Sequence, residues 1–423
     1  MRRPIFTLLS ALAVFASVYP AQAQKFLPRT IQFQGAPEYS TDELLAATGL
    51  KKGIVLSYYD MQDYSKRLLN SGVFASVAFK FDGQDLIFML TPSTDLYPVR
   101  LENLPLTPGP DLDAKLHEQL PLYHGKVPSE GGLTDALRGA LEQMLAAKGL
   151  KATVVTTASQ AQGNAGFVSF SIASPPVVVG EIRVGGNSAS LEQGAQDILA
   201  KLTGSPYDVA GSISQLTTYL GNYYRDKGYL EVHVEAAAGE ASAADTAIRV
   251  PIEVSVTPGI QYRLARVALA PGLLVAQADF DRQAQIHPGD IADGQHMTEN
   301  WEYISRQYHN RGYMKASVHP EPSFDRTNGT VSYSVTVDPG PVYTMGTLTI
   351  ENVSDDLRAL MLSVWKMPQG SVFDEGAILN FFAIGDANPQ LKRIFSSVNC
   401  KYTLKLNDDA RTVDVVLRLE RKS

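Results

Sequence analysis

The 423-residue chain holds one cysteine, Cys400, and only two tryptophans. A single thiol excludes an internal disulfide and any cysteine-rich metal site. Cys400 also stands far from the N-terminus, where a lipid-anchoring cysteine would have to lie. It falls in Val398-Asn399-Cys400-Lys401-Tyr402-Thr403-Leu404, where apolar residues alternate, and so reads as a small hydrophobe on a strand. Positive charge is short as well: 37 Lys and Arg against 44 Asp and Glu leave a net charge of −7. Phosphate backbones and anionic lipid surfaces repel such a chain, which argues against nucleic acid as a partner. No G-x-x-x-x-G-K-[ST] loop, G-x-G-x-x-G after a strand, H-E-x-x-H or G-x-S-x-G is present. The seven histidines (117, 124, 233, 287, 296, 309 and 319) are scattered, with no pair four residues apart. His233 and His319 read as strand residues facing solvent, and His309 as the last turn of a helix. Paired acids such as Asp355-Asp356 and Asp408-Asp409 read as helix starts or turns. No catalytic residue, metal ligand or cofactor site is expected.

Long apolar runs are also absent beyond the N-terminus. There, Arg2 and Arg3 precede an apolar stretch from Ile5 to Val18 and an Ala21-Gln22-Ala23 site. This order predicts a secretory leader over residues 1–23, cleaved after Ala23. A spanning helix needs about 20 apolar residues, and Pro20 closes this one early. Removing the leader takes two positive charges from a net of −7 and leaves −9.

What the chain has is a repeat. Alternating strands close at Pro92, Pro175, Pro258 and Pro339, which stand 83, 83 and 81 residues apart, and Ser423 lies 84 beyond the last. A helical stretch ending in glycine and an apolar residue recurs at Gly72-Val73, Gly149-Leu150, Gly228-Tyr229 and Gly312-Tyr313. Glycine there suits a left-handed helix end, and Lys148, Lys227 and Arg311 suit the negative end of the dipole. The fifth copy lacks this glycine, although Ile394-Phe395-Ser396-Ser397-Val398 parallels Val73-Phe74-Ala75-Ser76-Val77. A third marker, a glycine between two helical patterns, appears once per period at Gly53, Gly125, Gly204, Gly289 and Gly370.

The third copy shows the unit. Gly180–Gly185 alternates as a strand, Leu191–Leu202 and Val209–Asp226 carry helical periodicity, and Leu230–Val234 and Ile248–Val256 alternate again. The order is β-α-α-β-β, with two helices covering one face of a small sheet. Asp82-Gly83 and Asn328-Gly329 suit the hairpin turns of the first and fourth copies. Tyr223, Tyr224, Tyr229, Tyr308 and Tyr313, at helical and junction spacing, read as core.

This arrangement resembles the polypeptide-transport-associated (POTRA) domain of the BamA-like outer-membrane assembly and translocator family. The likeness rests on the strand-Gly start (Ile31-Gln32-Phe33-Gln34-Gly35), the mid-module glycine, the Gly-aromatic junction and the closing Pro-Gly. It implies an α+β chain of five tandem βααββ modules in an elongated array, without a transmembrane barrel. The expected boundaries are 27–94, 97–175, 177–258, 260–339 and 341–423, the second copy being least typical because Pro105, Pro108 and Pro110 follow its first strand.

A small sheet has two edges of unpaired N–H and C=O groups, a template for an incoming extended segment. The resemblance implies that the strand after the second helix is such an edge, near 74–80, 150–156, 230–236, 314–319 and 398–404. Candidate edge residues are Val77, Val154, Val232, Val234, Ala316, Val318, Cys400 and Tyr402. The expected function is a periplasmic, chaperone-like scaffold, not an enzyme, that binds outer-membrane or secreted polypeptides by β-augmentation and docks to a separate outer-membrane barrel protein. The alternative is a structural adaptor linking folded components of an envelope complex.

Overall fold

The computed structural model describes residues 25–82, 84–159, 166–185, 191–244 and 246–421. The predicted leader lies outside them, as does Gly83 of the first predicted hairpin turn. The chain divides into two compact units, residues 1–182 with 202–213 and 238–252, and residues 183–201 with 214–237 and 253–423.

One strand order recurs along the chain, with the last strand of each copy in the middle of its sheet. In the first sheet Thr30–Gln34 and Phe74–Asp82 flank Asp85–Pro92; in the second Leu96–Leu101 and Thr153–Ser159 flank Phe167–Ser174. In the third Val177–Gly185 and His233–Ala238 flank Ala247–Thr257. The fourth places Arg263–Leu269 and Ser317–Asp325 around Thr330–Asp338, and the fifth Thr344–Glu351 and Val398–Asn407 around Thr412–Arg421. In the first, second, fourth and fifth sheets the opening strand runs parallel to the central one and the hairpin partner antiparallel. The expected α+β architecture is therefore present, and the sheets remain open. Among the described residues no helix is long and apolar enough to cross a membrane.

Local chemistry sets the helix limits. Ser40 with Glu43 and Ser57 with Asp60 form reciprocal capping boxes, and Asp293 and Ser354 cap later helices. At the other end, Tyr229 N–H reaches back to the Tyr224 carbonyl and Gly228 N–H to Arg225. The same double bond recurs at Leu150 with Gly149 and at Tyr313 with Gly312, each glycine having φ near +80°. The junction tyrosines pack edge-on against the buried helix tyrosine, with Tyr224–Tyr229 at 5.9 Å and Tyr308–Tyr313 at 5.8 Å between ring centroids. Tyr224 and Tyr308 are core as expected; Tyr223, Tyr229 and Tyr313 are half-buried. The last copy departs from two helices: its second helical stretch is split into Gly376–Ala387 and Pro389–Ser397. Pro389 cannot continue the preceding helix, and Asn388 caps the new one through the amides of Gln390 and Leu391.

Consecutive sheets within a unit are joined by a repeated contact at these glycines. In the second unit Tyr262 N–H donates to the Gly228 carbonyl and Tyr343 N–H to the Gly312 carbonyl, both at 2.8 Å. A Cβ at Gly228 would meet Ile291 Cγ2 at 2.7 Å, and one at Gly312 would meet the Tyr343 carbonyl oxygen at 2.7 Å and Val372 Cγ1 at 2.9 Å. In the first unit a Cβ at Gly72 would meet Pro128 at 2.8 Å. The next copy's second helix begins at a glycine against the previous helix end, as Gly132 N-terminal to Leu133, whose N–H donates to the Ser71 carbonyl, and as Gly376, whose N–H donates to Asn310 Oδ1.

A polar triad completes two of these junctions. Tyr262 is fully buried and donates to Glu231, which also pairs with Arg326. Tyr343, equally buried, donates to Asp408 at 2.8 Å, and Asp408 pairs with Lys315 at 2.7 Å. The charges are exchanged: the acid lies on the post-helix turn in one junction and on the hairpin turn of the following sheet in the other. Asp408 thus does more than the turn role expected of it.

Two outcomes follow. Gly312→Ala is expected to cost at least about 1 kcal/mol more than Gly149→Ala in urea unfolding, because both positions are left-handed but a Cβ at Gly149 meets open space. Arg326 and Tyr262 hold the Glu231 carboxyl down from 4.5 to about 2. A depressed carboxylate stabilises fully above its ordinary value and loses that contribution as pH falls through the folded one. The gap in unfolding midpoint between the parent and Glu231→Gln should therefore be constant above pH about 5 and close between pH about 4.5 and 2.

Candidate functional site: the open sheet edges

A strand turns its N–H and C=O groups alternately to its two neighbours, so each edge must be accounted for separately. The opening-strand edge is occupied by the chain itself. After the mid-module glycines of the second to fifth copies, the interhelical segment folds back onto the opening strand; in the first copy Leu56–Ser57 pairs instead with Lys25–Phe26, ahead of that strand. Val179 N–H donates to the Ser205 carbonyl, Leu264 N–H to Asp290 and Met345 N–H to Ser371, at 2.9, 2.9 and 2.8 Å. Gly204, Gly289 and Gly370 donate in the reverse direction to the carbonyls of Val179, Leu264 and Met345. In the second sheet the same segment, Lys126–Pro128, pairs with Leu96–Pro98 as a short strand. The fourth copy extends the seal: the Gln277 amide accepts from Leu269 N–H at 2.9 Å and donates to the Val267 carbonyl at 3.1 Å, a side chain acting as a strand.

The opposite edge is formed in all five sheets by the strand that follows the second helix. Val77, Val154, Val234, Val318, Cys400 and Tyr402 lie on those strands. Val232 and Ala316 do not. Both sit in the turn between the helix end and the strand, and their N–H groups donate to the carbonyls of Tyr229 and Tyr313. The strands begin later, at His233 and Ser317.

Register shows which groups face outward. Thr344 N–H donates to the Arg411 carbonyl, so the odd-numbered residues of the fifth central strand face the opening strand. Their antiparallel partners Val398, Cys400, Tyr402, Leu404 and Leu406 turn their polar groups to the open side. None is proline. In the fourth sheet Ala270 N–H donates to the Val335 carbonyl, which makes Val318, Pro320, Pro322 and Phe324 the outward set. Two of those four have no N–H to offer, a known way of blunting an edge. In the second sheet Val154 faces outward, opposite Ile172, and its N–H is taken by Glu142 Oε1 of the preceding helix at 2.8 Å. In the third, Pro251 of the central strand lacks its N–H where the edge strand is interrupted between Ala238 and Ser242. The ten-residue strand Val398–Asn407 is the longest of these edges.

Its side chains divide by face. Val398, Cys400 and Leu404 pack against the fifth core, while Tyr402 and Leu406 remain 39% and 40% exposed. Burial pushes the Cys400 thiol up to about 11, so it stays protonated and inert, as its alternating surroundings indicated. On the alternate positions Lys401 pairs with Glu420 at 2.7 Å.

The sequence reading overlooked Glu142 and Gln277, whose roles depend on tertiary register, but Pro320-Glu321-Pro322 within an alternating run was a legible edge signal. It also treated the histidines as isolated. His233 and His319 are exposed as expected, and His309 bonds Glu375 of the next copy at 2.8 Å. His117 and His124, however, converge on Glu43.

The register assigns opposite costs to neighbouring prolines. Thr403→Pro removes a donor to the central strand and should cost about 1–3 kcal/mol beyond Thr403→Ala. Tyr402→Pro removes only an outward donor and should cost under about 1 kcal/mol beyond Tyr402→Ala, both read by urea unfolding.

Residues 270–340 match the family model described as POTRA, surface antigen variable number repeat. The chain is 20% identical over 430 residues to the outer membrane protein assembly factor BamA of Buchnera aphidicola subsp. Acyrthosiphon pisum (strain APS), covering 98% of this chain and 67% of that protein. It is 20% identical over 289 residues to a putative outer membrane protein assembly factor of Treponema pallidum (strain Nichols), covering 65% of this chain and 33% of the relative. Among solved structures, Haemophilus influenzae BamA POTRA3-5 is similar at 18% identity and a TM-score of 0.44, over 58% of this chain and 96% of the other. The N-terminal domain of Omp85 from Thermosynechococcus elongatus gives 15% identity and a TM-score of 0.23, over 59% and 99%. The family model matched over residues 270–340 and the similarity to BamA along nearly the whole chain, on a repeated β-α-α-β-β order, support a POTRA array similar to those of the BamA-like family.

Proposed function

We propose that the chain is a periplasmic scaffold for outer-membrane protein assembly or transport that captures extended polypeptide segments by β-augmentation, and is not an enzyme. Five modules, with the boundaries expected from the repeat, form the scaffold. The observation that carries this reading is the asymmetry of the sheets: in the second to fifth copies the interhelical segment occupies part of the opening-strand edge, and in all five the same topological strand stands at the other edge. Main-chain pairing at such an edge makes little demand on client sequence. Outer-membrane strands alternate apolar and polar residues and suit it as clients. Among the edges, Val398–Asn407 is the principal site, because its outward groups include no proline and Tyr402 and Leu406 offer exposed apolar surface beside them. Several weak sites on one chain raise the effective concentration for a long client.

The test is binding of alternating-pattern peptides, with photocrosslinking from position 406 in cells to identify what occupies the edge. Tyr402→Pro deletes one intermolecular hydrogen bond and leaves a client carbonyl unpaired, so affinity should fall about tenfold relative to Tyr402→Ala. Pro320→Thr with Pro322→Thr should instead create a new crosslinking edge in the fourth sheet. Equal peptide binding by Tyr402→Pro and Tyr402→Ala would overturn the edge mechanism. Crosslinks from position 406 to one folded envelope component alone would favour the adaptor.

A further inference from the structure

We infer that Glu43, His117 and His124 form a binding site for a divalent transition-metal ion of the zinc class, tying the first sheet's helix layer to the second. Their ligand atoms all lie within 4.8 Å of one another. Glu43 Oε1 stands 3.1 Å from His117 Nε2 and 3.1 Å from His124 Nε2. An ion about 2.0–2.2 Å from two imidazole nitrogens and a carboxylate oxygen sets tetrahedral ligand atoms about 3.3 Å apart, close to two of the separations present. Two imidazoles with one carboxylate are a borderline-soft set that favours zinc over the all-oxygen cations calcium and magnesium.

Each ligand is oriented by a second partner. His117 Nδ1 lies 2.9 Å from the Tyr123 carbonyl, which can only accept, so Nδ1 carries the proton. With Nδ1 so bonded, Nε2 is the ring nitrogen turned toward Glu43 Oε1. A backbone carbonyl on the far nitrogen is also the usual outer partner of a metal-bound histidine. Glu43 is held by its other oxygen, Oε2, which accepts from Ser40 N–H at the start of the helix Thr41–Thr48. His124 packs against the buried Tyr39 ring at 4.8 Å between centroids. The histidine side chains are 42% and 37% exposed, leaving the fourth coordination position to water. Glu43 belongs to the first copy, and His117 and His124 to the second, so a bound ion crosslinks the two without a disulfide.

Zinc titrated calorimetrically into the untagged mature chain should bind one ion. His117→Ala and His124→Ala should each weaken binding at least about tenfold. Glu43→Gln, which can keep the Ser40 cap, should do the same while leaving the circular dichroism spectrum unchanged. His233→Ala, an exposed histidine away from the site, should bind as the parent does. Zinc should raise the unfolding midpoint of the parent but not of the site variants. Failure of the parent to take up stoichiometric zinc, or equal binding by Glu43→Gln and the parent, would overturn the assignment. Neither result bears on peptide capture at residues 398–407.

Discussion

Every strand in a small sheet carries hydrogen-bonding groups on both sides, and a sheet of three strands has two sides that nothing inside it can pair. In this chain the constraint is met by a short segment between the helices. A left-handed glycine, such as Gly204 or Gly289, turns the chain so that the residues after it lie along the opening strand and exchange backbone hydrogen bonds with it. Left-handed backbone is costly for any residue with a Cβ, which explains why glycine marks this point in each period. With part of that edge occupied, the post-helix strand forms the other side of the sheet. The direction from which another strand can approach is thus set by the helix–helix turn.

The same economy of glycine governs the joints. Gly228 and Gly312 end a helix in the left-handed conformation and also let the next copy's tyrosine amide reach their carbonyls. A side chain there would collide with Ile291 or Val372 as well as strain the backbone. Around this shared contact the charged partners differ. Glu231 faces Arg326 at one joint, whereas Lys315 faces Asp408 at the next. Pairing the turn of one joint with the hairpin of the other would set acid against acid or base against base. Similar modules are thereby kept in sequence by repulsion as much as by attraction.

Much of this was legible in the sequence, because the period, the glycines and the alternation are local signals. The strand order and the helix ends follow from them. What failed was the start of three edge strands, expected near 150, 230 and 314 and beginning at Thr153, His233 and Ser317. Val232 and Ala316 continue the alternation, yet the tyrosine after the helix-ending glycine draws their amides into a turn, and no periodicity reports that. The split of the last helical stretch was marked by Asn388-Pro389, a visible breaker. The convergence of Glu43 with His117 and His124 was invisible for a different reason. The residues belong to different copies, and only the packing of one copy on the next brings them together.

Differences among the edges carry the last step. A repeat that left all its edges equally open would be exposed to pairing with other chains along its length, the hazard that edge strands pose in any sheet protein. Here the defences are distinct and local: Glu142 covers the Val154 amide, Pro251 coincides with an interrupted edge strand, and Pro320 with Pro322 deletes two outward donors in succession. None of these devices is needed for the core, since each acts on groups that face away from it. The strand Val398–Asn407 has no proline and keeps its full outward set of donors, with apolar surface at Tyr402 and Leu406. Leaving a long edge undefended while three others are blunted is a cost in solubility, and it is physically coherent if that edge is reserved for a strand from elsewhere.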